Sequence, residues 1–292
     1  MTVASPCTGV CKLDTATGWC LGCGRSGEEM DNWGSRSENA RRALWDKIPD
    51  RLSQLGVACR RLPWTTEDIL AFVVSTLEAG QGTWVMGVVG AVAEFTAASD
   101  QSVHATANGE ELIALTRNGA LQMTINDDVR AVTFDPPNMM TEPRVVLAIK
   151  RERGRIPVAS GIANLGSDQR ALLKEPNTRL YDLGLGRKEA RFCVRLAEGA
   201  ADDALHRATG LPFLQAVPMV GAPLVLESPT RVVESALGRI EVQGRIPSQD
   251  ARSPDGPHTH LLPDHLATGR ALPAGMDLPR AYLPGAIFYP LQ

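Results

Sequence analysis

The sequence predicts an α+β fold: a small helical module, stapled by a metal on four cysteines, followed by a larger domain with a mainly antiparallel sheet and a few helices. Three observations carry this expectation. Four of the six cysteines, Cys7, Cys11, Cys20 and Cys23, fall within 17 residues. Start signals for two short helices follow them directly. Beyond residue 80 the pattern changes to β-branched and apolar runs divided by turn residues, which is how hairpin strands read.

A length of 292 residues suggests two domains. The signals divide the chain into a four-cysteine module at 1–52, a linker at 53–64 and an α+β domain at 65–292. Apolar content of 43% and charged content of 22% are those of ordinary soluble proteins. The net charge of −3 is too small to draw the chain toward nucleic acid or an anionic membrane. Residues 1–62 hold nine Lys/Arg against seven Asp/Glu, and the rest 21 against 26, so neither part carries a basic stripe. The longest apolar stretch, residues 84–93, is ten residues, too short to span a bilayer. Met1 to Pro6 leads directly into Cys7 with no secretory apolar region, so the expected compartment is the reducing cytoplasm. There, clustered cysteines serve as metal ligands or redox groups more often than as disulfides.

The cysteines are spaced C-x3-C-x8-C-x2-C. A tetrahedral metal needs two chelating pairs joined by a loop, and short pair spacing keeps the entropy of assembling four thiolates small. Cys20-Leu21-Gly22-Cys23-Gly24-Arg25 supplies glycines that let the backbone turn tightly and aim N–H groups at sulfur. Arg25 adds a cation against the thiolate charge. The plainer readings are two disulfides or four unrelated thiols. Zinc is the preferred metal, because a closed all-thiolate site would fold a segment too small for its own core. An iron–sulfur cluster takes the same four ligands and stays open as the alternative.

Two helices follow. Ser26-Gly27-Glu28-Glu29 is a capping box, and Ser35-Arg36-Ser37-Glu38 reads as a second, leading into Ala40, Ala43, Leu44 and Ile48 at helical spacing. Pro49 is expected to stop that helix. Trp19, Trp33 and Trp45 should pack around the metal loop. Arg36, Arg41, Arg42, Lys47 and Arg51, interleaved with Glu38, Asp46 and Asp50, read as a solvated face rather than a nucleic-acid surface.

The run from Ser5-Pro6-Cys7 to Cys23-Gly24-Arg25, with Trp33-Gly34-Ser35 and Arg41-Arg42-Ala43, resembles the small bacterial domain-of-unknown-function family twelve-eighty-nine, labelled a predicted iron–sulfur protein. The resemblance covers about residues 5–52. It implies that Cys7, Cys11, Cys20 and Cys23 are the metal ligands, and it implies no activity.

In the remainder, Thr65 and Asp68 cap a helix carrying Ile69, Leu70, Phe72, Val73, Val74 and Leu77, ended by Gly80. Strands are expected at 83–89, 112–116, 120–125, 130–134 and 145–149, with a loop at 135–143. Asn118-Gly119 marks a hairpin turn. Residues 179–183 and 191–196 form a further pair, turning at Gly184-Leu185-Gly186. A short helix is expected at 201–208, a second at 229–237, and a strand at 239–242. The proline-rich tail from Pro247 should wrap the surface.

Three features of this domain could carry chemistry. Gly256-Pro257-His258-Thr259-His260 is followed by Asp264 and His265, so three of five histidines lie within eight residues. On an extended segment, His258 and His260 project to one side and could hold a second metal, with Glu94, Asp182 or Glu241 as the third ligand. The plainer reading is histidines that bond backbone in a turn-rich tail. The segment Gly184-Leu185-Gly186-Arg187-Lys188 could cradle an anion, although a hairpin turn with a basic tip explains it more simply. Cys193, in the apolar run Phe192-Cys193-Val194, reads as a buried, inert thiol, and neither it nor Cys59 has a partnered histidine nearby in sequence to make it a nucleophile. Residues 180–186, Phe192-Cys193-Val194-Arg195, Leu237-Gly238-Arg239-Ile240-Glu241 and Gly256-Pro257-His258-Thr259-His260-Leu261-Leu262-Pro263 together resemble an uncharacterised bacterial family, over about residues 65–290.

No complete catalytic constellation emerges, and whether the chain is an enzyme stays open. The favoured expectation is a cytoplasmic bacterial metal-binding protein. Its four-cysteine module serves structure or partner docking, beside a domain that binds a small molecule or another protein. The alternative is an iron–sulfur electron-transfer protein, or a metal-dependent enzyme with its second site at His258 and His260.

Overall fold

Local capping chemistry places the first helices. The computed structural model describes residues 3–88, 90–96, 103–134, 145–247, 256–260 and 277–290. Helix α1 (Gly27–Asp31) starts at Ser26, whose hydroxyl accepts the Glu29 N–H at 3.2 Å while the Glu29 carboxylate accepts the Ser26 N–H at 2.8 Å. Helix α2 (Glu38–Gln54) starts at Ser37, two residues later than the expected Ser35, because the Ser37 hydroxyl meets the Ala40 N–H. Pro49 does not stop α2. A proline removes a single backbone donor. Here Trp45, Ile48 and Leu52 form one apolar cluster across it, with Trp33 and Val57 packed alongside. Helix α3 (Thr66–Glu78) starts at Thr65 with the expected Asp68 box, and Gly80 follows at φ +60°.

The linker expected at 53–64 contains a strand, β1 (Cys59–Arg61). In chain order there follow β2 (Gly82–Val88), β3 (Ala91–Thr96), β4 (His104–Asn108), β5 (Glu111–Thr116), β6 (Gly119–Thr124), β7 (Val129–Phe134), β8 (Val145–Lys150), β9 (Ala163–Asn164), β10 (Arg179–Asp182) and β11 (Ala190–Leu196). Helices α4 (Ala200–Arg207) and α5 (Phe213–Glu227) precede β12 (Thr230–Ser235), β13 (Gly238–Val242), β14 (His258–His260) and β15 (Tyr282–Pro290). The strands make two sheets in which every named pairing is antiparallel. One runs β1-β7-β8-β15-β2-β3-β14, the other β4-β5-β6-β13-β12-β11-β10-β9. The fold is mixed α+β and mainly sheet, with five helices among the described residues.

The two sheets face each other. Trp84, Met86, Ala91, Ala93 and Phe95 from one share a single core with Leu121, Phe192, Val194, Val233 and Ile240 from the other. Helix α3 joins that core through Ile69, Val73 and Leu77, and Phe72 meets Phe288 edge-on at 5.5 Å. Trp84 donates its indole N–H to Thr76 at 3.0 Å.

Three further differences from the sequence reading concern the later part of the chain. Residues 229–237 hold strand β12 instead of a helix, because Thr230, Val232 and Val233 are β-branched and the strand is buried on both faces. Helix α5 was not foreseen, since Pro218 and Pro223 lie inside it. The tail contributes β14 and the inner strand β15, where Pro284 is tolerated at a register shift between Pro284 and Ala286. The loop at 135–143 lies outside the described residues.

The Asn118-Gly119 cue found its hairpin, but the turn is Arg117-Asn118, and Thr116 pairs with Gly119. Gly119 is needed for another reason: a Cβ there would stand 2.5 Å from Pro257 Cγ.

Candidate metal centre

All six cysteines are free thiols. The four clustered ones sit on two loops that meet. Thr8 donates its hydroxyl to the Gly22 carbonyl at 2.9 Å, and a Cβ on Gly22 would collide with Thr8 Oγ1 and lie 2.7 Å from Val10 Cβ. Only glycine lets the second cysteine loop lie flat against the first. Each loop then turns an N–H toward its own sulfur: Gly9 toward Cys7 Sγ and Gly22 toward Cys20 Sγ, both at 3.4 Å. Gly24, at φ +68°, closes the second loop by donating to the Cys20 carbonyl at 2.8 Å. Buried Arg25 donates from Nε to Cys23 Sγ at 3.4 Å. These donors all stabilise sulfur in its thiolate form.

The thiols feel one another. The Cys11 thiol is raised, first by the charge of Cys7 and then by its hydrogen bond with Cys7, and it also feels Cys20. The Cys23 thiol is raised by burial, against the lowering effect of Arg25. Cys20 and Cys23 are buried, whereas Cys11 is exposed and left-handed at φ +46°. In donor chemistry the set fits a thiolate-bound metal. Among the described residues, no three His, Cys, Asp or Glu side chains are drawn together tightly enough to hold an ion.

The cysteine segment is anchored on both sides. On one side, Arg51 from α2 grips Glu29 at 2.6 and 3.1 Å, donates to the Gly24 carbonyl at 3.1 Å, and lies over the Trp19 ring at 5.1 Å. Arg25 lies over the Trp33 ring at 5.1 Å. Arg41 donates to the Trp33 and Gly34 carbonyls, so two of the helix cations serve the module's own packing. On the other side, Arg61 of β1 donates to the carbonyls of Ser5 and Cys7. Burial and the nearby Arg130 guanidinium depress Arg61 to about 10. Cys7 and Thr8 lie against Val132, Ala148 and Tyr282 of the seven-stranded sheet. The first cysteine loop is thus seated on the sheet face opposite the main core.

The histidine segment forms β14 at the edge of the same sheet, beside β3. His258 stands opposite Glu94, and His260 opposite Val92. Asp182 and Glu241, the other two carboxylates considered with these histidines, lie on the other sheet and are engaged there. Asp182 accepts the N–H groups of Ala159 at 3.0 Å and Gly184 at 2.9 Å. Asp264 and His265 lie outside the described residues.

Gly184 and Gly186 occupy the turn between β10 and β11. Gly184, at φ +66°, has its N–H directed at Asp182, and a Cβ on it would lie 2.8 Å from Gly161 Cα. A Cβ on Gly186 would strike the Ala190 carbonyl. Both glycines therefore meet a close backbone approach, while Arg187 and Lys188 are exposed. Cys59 is pushed up to about 12 by burial, and Cys193 is likewise raised well above the ordinary thiol range. Neither is placed as a nucleophile.

One feature went unread in the sequence: a buried layer of charge on the outer face of the eight-stranded sheet. Glu241, fully buried, accepts Arg195 at 2.8 Å, Arg239 at 3.0 Å, and the N–H groups of Leu172 and Leu173 at 2.9 and 3.0 Å. Asp168 accepts Arg195 at 2.9 Å and Arg239 at 2.6 and 3.1 Å. Glu234 accepts Arg191 and Arg170. The network ties the loop 165–178 down onto β11, β12 and β13. Charges at alternate strand positions were the available signal, yet the same alternation describes a solvated face.

A polar recess of about 350 Å³ opens elsewhere, lined by Thr124, Asn126, Asp128, Ile149, Arg153 and Ala236. Lys150 meets Asp128 at 2.6 Å beside it. No described helix is long and apolar enough to cross a membrane.

Two family models match the chain. One, described as "Family of unknown function (DUF6925)", covers residues 68–292; the other, "Protein of unknown function (DUF1289)", covers residues 5–52. No curated protein and no solved structure matches.

Proposed function

The chain belongs to the family of unknown function DUF6925, with a DUF1289 segment ahead of it, and from that premise we propose that residues 1–52 form a metal-bound staple seated on the sheet sandwich. Cys7, Cys11, Cys20 and Cys23 would hold the metal, with zinc preferred. The observation that carries this reading is the meeting of the two cysteine loops at Gly22, with an N–H aimed at Cys7, another at Cys20, and Arg25 at Cys23. Two pairs of thiolates brought together without a metal would repel, and a cation between them removes that cost.

The metal would supply folding energy to a segment whose own apolar cluster is small. This chain's residues do the rest. Arg25 screens Cys23, the two glycine N–H groups orient their sulfurs, Arg51 holds α1 to α2, and Arg61 fixes the first loop to β1. Six free thiols accord with a reducing cytoplasm. The sandwich is the part that would bind a partner or small molecule, and the recess beside Asp128 lies within the usual size range for such a site.

A second reading is favoured by exposed Cys11: with one ligand at the surface, an iron–sulfur centre could exchange electrons there.

The test is limited proteolysis of the full chain, comparing wild type, chelator-treated protein and Cys20→Ser. The staple reading expects cleavage within residues 1–57 to rise at least about tenfold in the last two, with the sandwich intact. Equal protection in all three would overturn it.

A further inference from the structure

Between Phe213 and Leu226, helix α5 holds one polar side chain, Gln215, and no charged one. A helix so apolar all round is ordinarily buried all round. Here one side alone enters the shared core, through Ala216, Val220 and Leu224. On the other side Leu214, Val217, Val225 and Leu226 show 72, 40, 56 and 84% of their surface to solvent, and Leu211 in the preceding turn is exposed as well. Five of the nine exposed large hydrophobic side chains among the described residues thus fall between 211 and 226.

The exposed face also has a shape. Leu214, Val217, Gly221 and Val225 succeed one another at helical spacing and line one stripe. Gly221 makes a notch in it: a Cβ there would meet only Val217 Cγ1 of its own helix, at 3.6 Å, and no other element among the described residues. Val217 and Val225 stand one turn before and one turn after the notch. A two-fold axis at Gly221 sets Val217 of one copy against Val225 of the other, with the two notches face to face. Ridges spaced by four residues cross in this way at about −50°, and the bare glycines let the helix axes come close.

We infer that this face of α5 is the two-fold interface of a homodimer. A strongly acidic or basic partner finds no opposite charge between 213 and 226, and a helix lying in an anionic membrane surface carries Lys or Arg on its polar side, which α5 lacks there. The uncharged stripe is complementary to itself and leaves no charge unpaired when a second copy covers it. The area fits as well. At these exposures the five side chains present roughly 500 Å² of apolar surface, near the upper end of the largest patch on ordinary monomers. Exposed Pro218 and Ala222 extend the face toward the roughly 800 Å² per partner of a standard interface. The inference goes beyond the metal staple and does not rest on it.

Sedimentation velocity of the full chain, purified with zinc present and run across a wide range of micromolar concentrations, reads the interface. The expected result is a dimer in the wild type, with a dissociation constant raised at least about tenfold by Val225→Glu and by Gly221→Leu. Both positions face open space in the single chain, and circular dichroism checks that both variants fold. Val217→Lys combined with Val225→Glu should restore the dimer, because the two positions meet across the axis. A monomeric wild type, or a dimer that persists unweakened in the folded single variants, would overturn the inference. A monomer that floats with neutral lipid vesicles would overturn it too, and would give the face to a membrane.

Discussion

Asp168 sits in a loop, yet its carboxylate accepts three hydrogen bonds from Arg195 and Arg239 and is nearly hidden from water. Burial alone would raise its pKa, but those two guanidinium groups outweigh burial and lower it. The unfolded chain carries an ordinary aspartate near about 3.9. Below that value the unfolded state binds more protons than the folded one, so stability falls as pH drops toward the depressed folded value; above it the contribution is fully present. Asp168→Asn should cost about 3 kcal/mol at neutral pH, because it leaves two buried guanidinium groups short of charge. Urea unfolding at neutral and acid pH would show it. The variant should also lose part of the acid-side slope, and an unchanged slope would count against this assignment.

At the scale of elements, those governed by local chemistry were legible. Thr65 and Asp68 name the start of α3 because both hydrogen bonds of the box close within four residues. Thr65→Ala should lower stability by about 1 kcal/mol in a denaturant titration, without moving the sheet signals. The elements that escaped are those whose stability comes from elsewhere in the chain. Helix α5 survives Pro218 and Pro223 because Ala216, Val220 and Leu224 pack into the shared core beside α4. Strand β12 read as a helix because it is buried on both faces, which erases alternation. Strand β15 was hidden by its prolines, though it lies between β8 and β2.

At the scale of the whole molecule, the cysteine spacing predicts a metal centre on those four residues, but not where the cysteine loops are seated. That depends on Arg61 of β1, and β1 exists only because β7, some seventy residues later, accepts it. The charged layer beneath loop 165–178 was invisible for the same reason: Arg195, Arg239, Glu241 and Asp168 meet only once distant strands are in register. Glu94 and His258 are likewise paired across more than 160 residues of sequence. The measurement that tests the staple most directly is the metal content of anaerobically purified full-length protein, taken with its visible spectrum and repeated on Cys20→Ser. The account predicts one zinc per chain on the cysteines, no colour, and loss of that zinc in the variant. A Cys20→Ser variant that keeps the same zinc, or wild type that carries none when purified with zinc present, would contradict it.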